Sequence, residues 1–289
     1  MSAFNQGLFR SVGRCSPAGN GATEKPATRH APAIVRLPAT TLLAAALLAA
    51  AVLSCIFLTA CGAQGAATAT SAAADTLPAA VRAVSFTTED GITLDGHVFG
   101  SGHEGVVLAH MYPADQSSWY PTAERLAQEG YLVLTFDFRG YGESGGEKQI
   151  ELIDRDVSAA VNQIRQEGAA EVVLAGASMG GTASLIAGDR AQALSSIRLA
   201  GIATLSAPVE FRGLSAADAV PRIVVPLLFI AAQNDAGATG ARELEQLSAG
   251  KGELEIVPGS DHGTDLLSGS QGEKVYGLLR TFIKDSLTP

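Results

Sequence analysis

The chain predicts an α/β domain built on a doubly wound, mostly parallel sheet with helices on both faces, an antiparallel hairpin at its front and no large cap domain. Three observations carry this. Short runs rich in Val, Leu and Ile alternate with stretches of helical period from Val106 to the C-terminus. Glycine-bearing turns separate the two kinds of segment. The stretch Glu171-Val172-Val173-Leu174-Ala175-Gly176-Ala177-Ser178-Met179-Gly180-Gly181 passes from strand to turn to helix within a few residues.

In chain order, residues 84–87 and 92–99 alternate apolar and polar side chains around Glu89-Asp90-Gly91, which predicts an antiparallel hairpin with an Asp-Gly turn. After a glycine-rich turn, residues 106–109 are continuously apolar, as in a buried parallel strand. A loop from His110 to Ser118 leads into a helix at about 121–128, opened by Pro121 and closed by Gly130. Residues 131–136 form the next strand and run into a polar, glycine-rich loop at 137–145. A long helix at about 150–166 follows, with Ile153, Val157, Ala160, Val161 and Ile164 on one face and Gly168 as its stop.

Residues 172–175 are the strand before Ser178, and a helix from Gly180 and Gly181 extends to about Asp189. Strands are expected at 202–205 and 226–231, with about twenty residues between them. That is room for a small helix near 216–220 and for no cap domain. Residues 240–247 suit a helix with Thr239 as its N-cap. A last strand at 254–257 precedes a C-terminal helix whose buried face is Val275, Leu278, Leu279, Phe282 and Ile283. In sheets of this kind, reacting groups gather at the carboxyl ends of the strands.

Residues 1–61 have a different character. They hold five basic residues and one acidic, a net of +4, so a chain of −9 overall carries −13 on the remainder. That acidic balance argues against nucleic acid as a partner. An uncharged Ala/Leu/Val-rich run at 42–58 follows Arg36, the layout of an export signal. It ends in Leu58-Thr59-Ala60-Cys61-Gly62, which resembles the lipobox of bacterial lipoproteins, with Cys61 as the lipid attachment point; Cys55 closes a poorer copy. An uncleaved transmembrane anchor is the alternative. Residues 62–83, rich in Ala, Thr, Ser and Gly, read as a flexible tether, and 84–289 as the folded domain. The expected location is the bacterial cell envelope, outside the cytoplasm and held to a membrane. All three cysteines (Cys15, Cys55, Cys61) fall in the leader, so the domain has no disulfide, and no cofactor or metal is expected.

Gly176-Ala177-Ser178-Met179-Gly180 fits G-x-S-x-G, in which a serine sits on a strained turn between strand and helix. A serine hydroxyl needs a base to take its proton and a carboxylate to orient that base. Asp235 follows the strand at 226–231 and His262 follows the strand at 254–257, so both emerge on the same edge as Ser178. Glu210 and Asp218 are alternative acids, after the previous strand.

With these residues the segment from about Phe86 to Ile283 resembles a compact, capless α/β-hydrolase. Four matches carry the resemblance: the Ser178 elbow, the Asp235 turn, the turn Ser260-Asp261-His262-Gly263, and Asp137-Phe138-Arg139-Gly140-Tyr141-Gly142-Glu143-Ser144. It implies a nucleophile at Ser178, a base at His262 and an acid at Asp235. It also implies an oxyanion hole of two backbone N–H groups, one from Met179 and one from the loop after His110, at Tyr112 or alternatively Met111. The family usually has His-Gly where this chain has His110-Met111, and glycine is common where it has Ala232.

The expected activity is hydrolysis of small carboxylic esters through an acyl-enzyme, with a peptidase or amidase on the same residues and a non-catalytic binding lipoprotein as alternatives. Serine at the elbow disfavours relatives with Asp or Cys there, such as epoxide hydrolases. Among the remaining polar residues, Asp137 and Arg139 are expected to pair and brace their loop, His110 to fix its own loop, and Trp119 to pack. The oligomeric state is left open.

Overall fold

The computed structural model describes residues 80–288. The leader, most of the tether and Cys61 lie outside the described residues. Strand β1 (Val81–Thr87) opens within the last residues of the stretch read as tether. It pairs antiparallel with β2 (Thr93–Phe99), Val81 opposite Phe99 and Thr87 opposite Thr93. Thr88 N–H donates to Ile92 O at 2.9 Å and Gly91 N–H to Thr88 O at 3.0 Å, closing the turn the Asp-Gly pair predicts.

The remaining strands of the main sheet are β3 (Glu104–Ala109), β4 (Leu132–Phe136), β5 (Glu171–Ala177), β6 (Arg198–Leu205), and two that follow the excursion after β6, running Leu227–Ala232 and Gly252–Val257. The excursion itself holds a two-stranded antiparallel ribbon, β7 (Glu210–Phe211) and β8 (Leu214–Ser215), so the last two sheet strands are β9 and β10. The eight-stranded order is β1-β2-β4-β3-β5-β6-β9-β10. β2 runs antiparallel to β4, and every pairing from β4 to β10 is parallel. β3 lies between β4 and β5, so the chain moves to one side of β3 and then to the other. That reversal leaves a crevice at the carboxyl ends of β3 and β5, where the loop after His110 and the turn at Ser178 emerge.

Two apolar layers flank the sheet because successive side chains of a strand face opposite ways. Val107, Val172 and Leu174 join the layer of helices α2 (Ile153–Gln166), α3 (Met179–Ala191) and α4 (Gly237–Leu247). Val106, Leu108, Val173 and Ala175 join the layer of α1 (Tyr120–Gln128) and α5 (Gly272–Leu287). Leu108, Leu126 and Leu279 are fully buried, each contributing roughly 2 kcal/mol by transfer out of water. The lone tryptophan, Trp119, is also fully buried, in the packing role expected of it.

Four local expectations are corrected. β6 starts at Arg198 rather than 202, since Arg198 N–H bonds Ala170 O and its guanidinium pairs with Glu171 at the foot of β5. The helix expected at 216–220 is shortened to a single turn, in which Ala219 and Val220 N–H both donate to Ala216 O, running into a 3₁₀ turn at Val220–Arg222, and the unexpected β7–β8 ribbon precedes it. The ribbon turns on Arg212 (φ 50°) and Gly213 (φ 87°), two adjacent positive φ values of the kind a two-residue hairpin turn demands. Helix α4 opens three residues early, with Ala236 at the N-cap position and no side-chain cap, so Thr239 lies inside its first turn. The chain turns straight after β9, through Asp235 N–H to Ala232 O and Ala238 N–H to Asp235 O, and that fixes the early start. A 3₁₀ turn at Gly263–Leu267 follows His262, where no element was expected. No cap domain interrupts the sheet between β6 and β9.

Candidate active site

Ser178 is the single residue between β5 and α3, and its backbone sits at φ 48°, ψ −119°, a region side chains rarely adopt. Backbone bonds hold it there. Its N–H donates to Leu205 O at 2.8 Å, and its carbonyl accepts from Gly181 and Thr182 at 2.9 and 3.2 Å. The flanking glycines are sterically required. A Cβ on Gly176 would run into the backbone of Gly180, and one on Gly180 would lie 2.5 Å from the carbonyl oxygens of Ala109 and His110. Among the described residues, neither the Oγ of Ser178 nor the N–H of Met179 has a hydrogen-bond partner. The Ser178 side chain is thus presented at the N-terminal end of α3, where N–H groups and the positive end of the helix dipole favour negative charge.

The loops after β9 and β10 are stitched to each other. Gln233 N–H donates to Val257 O at 2.8 Å and Asn234 N–H to Gly259 O at 2.9 Å. That brings the Nδ1 of His262 to 2.8 and 3.0 Å from the two carboxylate oxygens of Asp235. Nδ1 is therefore the donor and Nε2 keeps its lone pair in the neutral ring. The Asp235 side chain is 6% exposed and that of His262 38%, so the acceptor is buried and the ring reaches solvent. Glu210, on the ribbon, and Asp218 are exposed and bond nothing on His262. Gly263, next to His262, lies against Met111 and beside Ala177, the neighbour of Ser178. Asp235 lies beside Ser206, which follows the Leu205 that holds the Ser178 N–H. The three residues Ser178, Asp235 and His262 thus share one rim of the sheet.

The loop after β3 completes that rim. His110 is fully buried; its Nε2 accepts from Phe138 N–H at 3.1 Å and its Nδ1 donates to Met111 O at 2.9 Å. Burial lowers its pKa, outweighing the Met111 carbonyl that supports the charged form, so the ring is neutral. Rings of Phe138 and Tyr141 pack on it at 4.8 and 5.0 Å between centroids. His110 fixes its own loop, as expected. Met111 turns its sulfur toward Thr264, and Tyr112 is exposed with its ring 5.9 Å from that of Phe211. The two candidate second donors, Met111 and Tyr112, are both on this loop, which begins where the Ala109 and His110 carbonyls lie against Gly180.

The expected pairing of Asp137 with Arg139 is corrected. Asp137 accepts from the backbone N–H and the amide of Gln116 at 2.8 and 3.0 Å. Arg139, fully buried, binds Asp156 through Nε at 2.9 Å and Nη2 at 2.6 Å, and Asp90 at 2.8 and 3.1 Å. Burial works against the Arg139 charge, but these hydrogen bonds outweigh it and its pKa is raised. Sequence spacing missed Gln116, Asp90 and Asp156. The available signal was Asp156 itself, a carboxylate beside the apolar face of α2. Among the described residues no group of three or more His, Cys, Asp or Glu side chains is arranged to hold a metal ion.

Residues 102–213 match the family described as "Serine aminopeptidase, S33". The uncharacterized protein YfhR of Salmonella typhi is 26% identical over 159 residues, 52% of this chain and 54% of that protein, so the chain spans about half the length of this curated relative. Among solved structures, the Pyrococcus furiosus esterase Pf2001 superimposes with a TM-score of 0.62 at 20% identity, over 72% of this chain and 91% of that one. An esterase from Exiguobacterium antarcticum gives 0.58 at 18% identity, over 70% and 99%. The chain has the α/β-hydrolase fold, and the family match spans the Ser178 turn.

Proposed function

We propose that this chain is a serine hydrolase that cleaves small carboxylic esters through an acyl-enzyme. Ser178 Oγ attacks the carbonyl, His262 Nε2 takes its proton and returns it to the leaving alcohol, and Asp235 holds the ring in the Nδ1–H form. The N–H of Met179 and one N–H from Met111 or Tyr112 stabilise the oxyanion. Water then releases the acid by the same proton route. The observation that carries the reading is the Nδ1 bond of His262 to a buried carboxylate on the rim where Ser178 is held in a left-handed turn. The esterases among the structural neighbours favour esters.

A fluorophosphonate probe tests it. Wild-type protein is expected to label at neutral pH and Ser178→Ala to remain unlabelled with the melting temperature kept; an unlabelled wild type returns the chain to a binding role. The family description favours a second reading, an aminopeptidase on the same residues. Faster turnover of aminoacyl p-nitroanilides than of short p-nitrophenyl esters would put it first.

From sequence alone, Cys61 is proposed as the lipid attachment point of an envelope protein. Metabolic labelling with a palmitate analogue is expected in the wild type and lost in Cys61→Ser; labelling that survives the substitution would remove this assignment.

A further inference from the structure

We propose that Arg212 is a specificity-determining residue, holding a second, ionised carboxylate carried by the acyl or alcohol part of the substrate. This rests on the ester reading above. Arg212 stands at the tip of the β7–β8 ribbon, where Phe211 pairs with Leu214 and only Arg212 and Gly213 make the turn. Its φ of 50° is one that Gly or Asn adopts at little cost. A long cationic side chain in a strained position is a feature the fold of the ribbon does not require, and such strain gathers at sites of function.

The turn sets the guanidinium over two rings that border the rim. Its central carbon is 4.3 Å from the centroid of Tyr112 and 5.2 Å from that of Phe211. Tyr112 belongs to the loop that offers the second oxyanion donor. Stacking on ring faces orients a guanidinium but leaves its N–H groups pointing outward in its own plane. Among the described residues those donors are unused: Arg212 has no hydrogen bond and no carboxylate within 4.0 Å, whereas Arg82, Arg139, Arg190, Arg198 and Arg222 each hold one. A preoriented fork of free donors matches the two oxygens of a carboxylate.

A second cation adds to the local field. Lys148 Nζ lies 4.1 Å over the ring of Tyr141, and it too has no carboxylate within 4.0 Å among the described residues. Tyr141 packs on His110, and its buried hydroxyl has no hydrogen-bond partner. Burial raises the pKa of that hydroxyl and Arg212 works against the rise, so the Arg212 charge reaches this group. Glu151 lies against Gly213 at the foot of this turn but, among the described residues, forms an ion pair with neither cation. An unpaired guanidinium beside the rim favours an anionic group on the substrate over a cationic one.

The test uses the full chain and two esters of equal acyl length, mono-p-nitrophenyl glutarate and p-nitrophenyl pentanoate. The ratio of their kcat/KM values is expected to favour the glutarate, mainly through KM. In Arg212→Asn, which suits the positive φ, that ratio should fall at least about tenfold, the loss of a charge-assisted bidentate contact. Arg212→Lys should keep part of it. Arg242→Gln removes the same charge from the exposed surface of α4 and should leave the ratio where it was. A ratio unmoved by Arg212→Asn, or lowered equally by Arg242→Gln, overturns the proposal. Calorimetric binding of glutarate itself reads the anion site without turnover. Binding by the wild type that is lost in Arg212→Asn supports the site even if neither ester is cleaved, in which case the ester reading alone falls. No binding by the wild type overturns the site even if both esters are cleaved.

Discussion

Two loops on the carboxyl edge of the sheet are held in place by opposite means. The Ser178 turn is fixed by backbone packing: strand, turn and helix approach so closely that Gly176 and Gly180 have no room for a side chain, and the bonds made by the Ser178 N–H and carbonyl are main chain to main chain. The loop from Asp137 to Gly145 is fixed by charge, with a fully buried Arg139 spanning Asp156 and Asp90 and a buried Asp137 capped by Gln116. The first arrangement tolerates strain at Ser178 because its neighbours cannot relax. The second supplies stability one loop away, at the cost of desolvating ions.

Substitutions can break that contrast. The largest effect is expected from Asp156→Ala, which leaves the buried Arg139 with Asp90 alone; removing one partner of a buried pair costs about 3–5 kcal/mol. Urea unfolding should show the loss while the protein that remains folded still takes up the fluorophosphonate. If labelling of the folded fraction vanishes too, the two loops are coupled rather than separately fixed. Next comes Gly180→Ala, where overpacking costs about 1–3 kcal/mol. Here the expectation is inverted: ester turnover should drop by more than the loss of stability explains, since the α3 N-terminus is displaced from the Ala109–His110 backbone. Turnover equal to wild type would show that the turn has slack.

The smallest effect is a shift with pH. Arg139 above all, and then Thr88, hold the Asp90 carboxyl well below the usual carboxylate range. The folded protein therefore keeps that charge at a pH where the unfolded chain has taken up a proton. Its stabilising contribution is complete above the unfolded value of about 3.9 and is lost as pH falls below it. Asp156 acts with the opposite sign, since burial raises its carboxyl more than Arg139 lowers it. The gap in melting temperature between wild type and Asp90→Asn should be full above about pH 5 and narrow as the pH drops through 4. A gap that stays constant would mean Asp90 braces the loop by shape and not by charge.

The contrast also explains what the sequence made legible. The Ser178 turn is written in five consecutive residues, because backbone crowding is a local matter and glycine is its local answer. Asp235 and His262 are legible for a related reason, as each follows its strand by a few residues and strand ends share an edge. The charged brace is not legible, because Arg139 reaches Asp156 across 17 positions and Asp90 across 49, and nothing near Arg139 names either partner. Thr239 misled as a cap because the position of α4 is set by the turn at Asp235, not by the capping strength of its own first residues. The ribbon at Arg212 was hidden because its strands are two residues each, too short to show an alternating pattern.

His110 carries a last consequence. Both of its ring nitrogens are already engaged, one receiving from Phe138 and the other giving to Met111, in a site that disfavours an extra proton. It is a histidine spent as scaffolding. In the proposed reaction, the acid limb of a rate profile should therefore follow a simple one-proton curve, with the neighbouring imidazole contributing no second inflection.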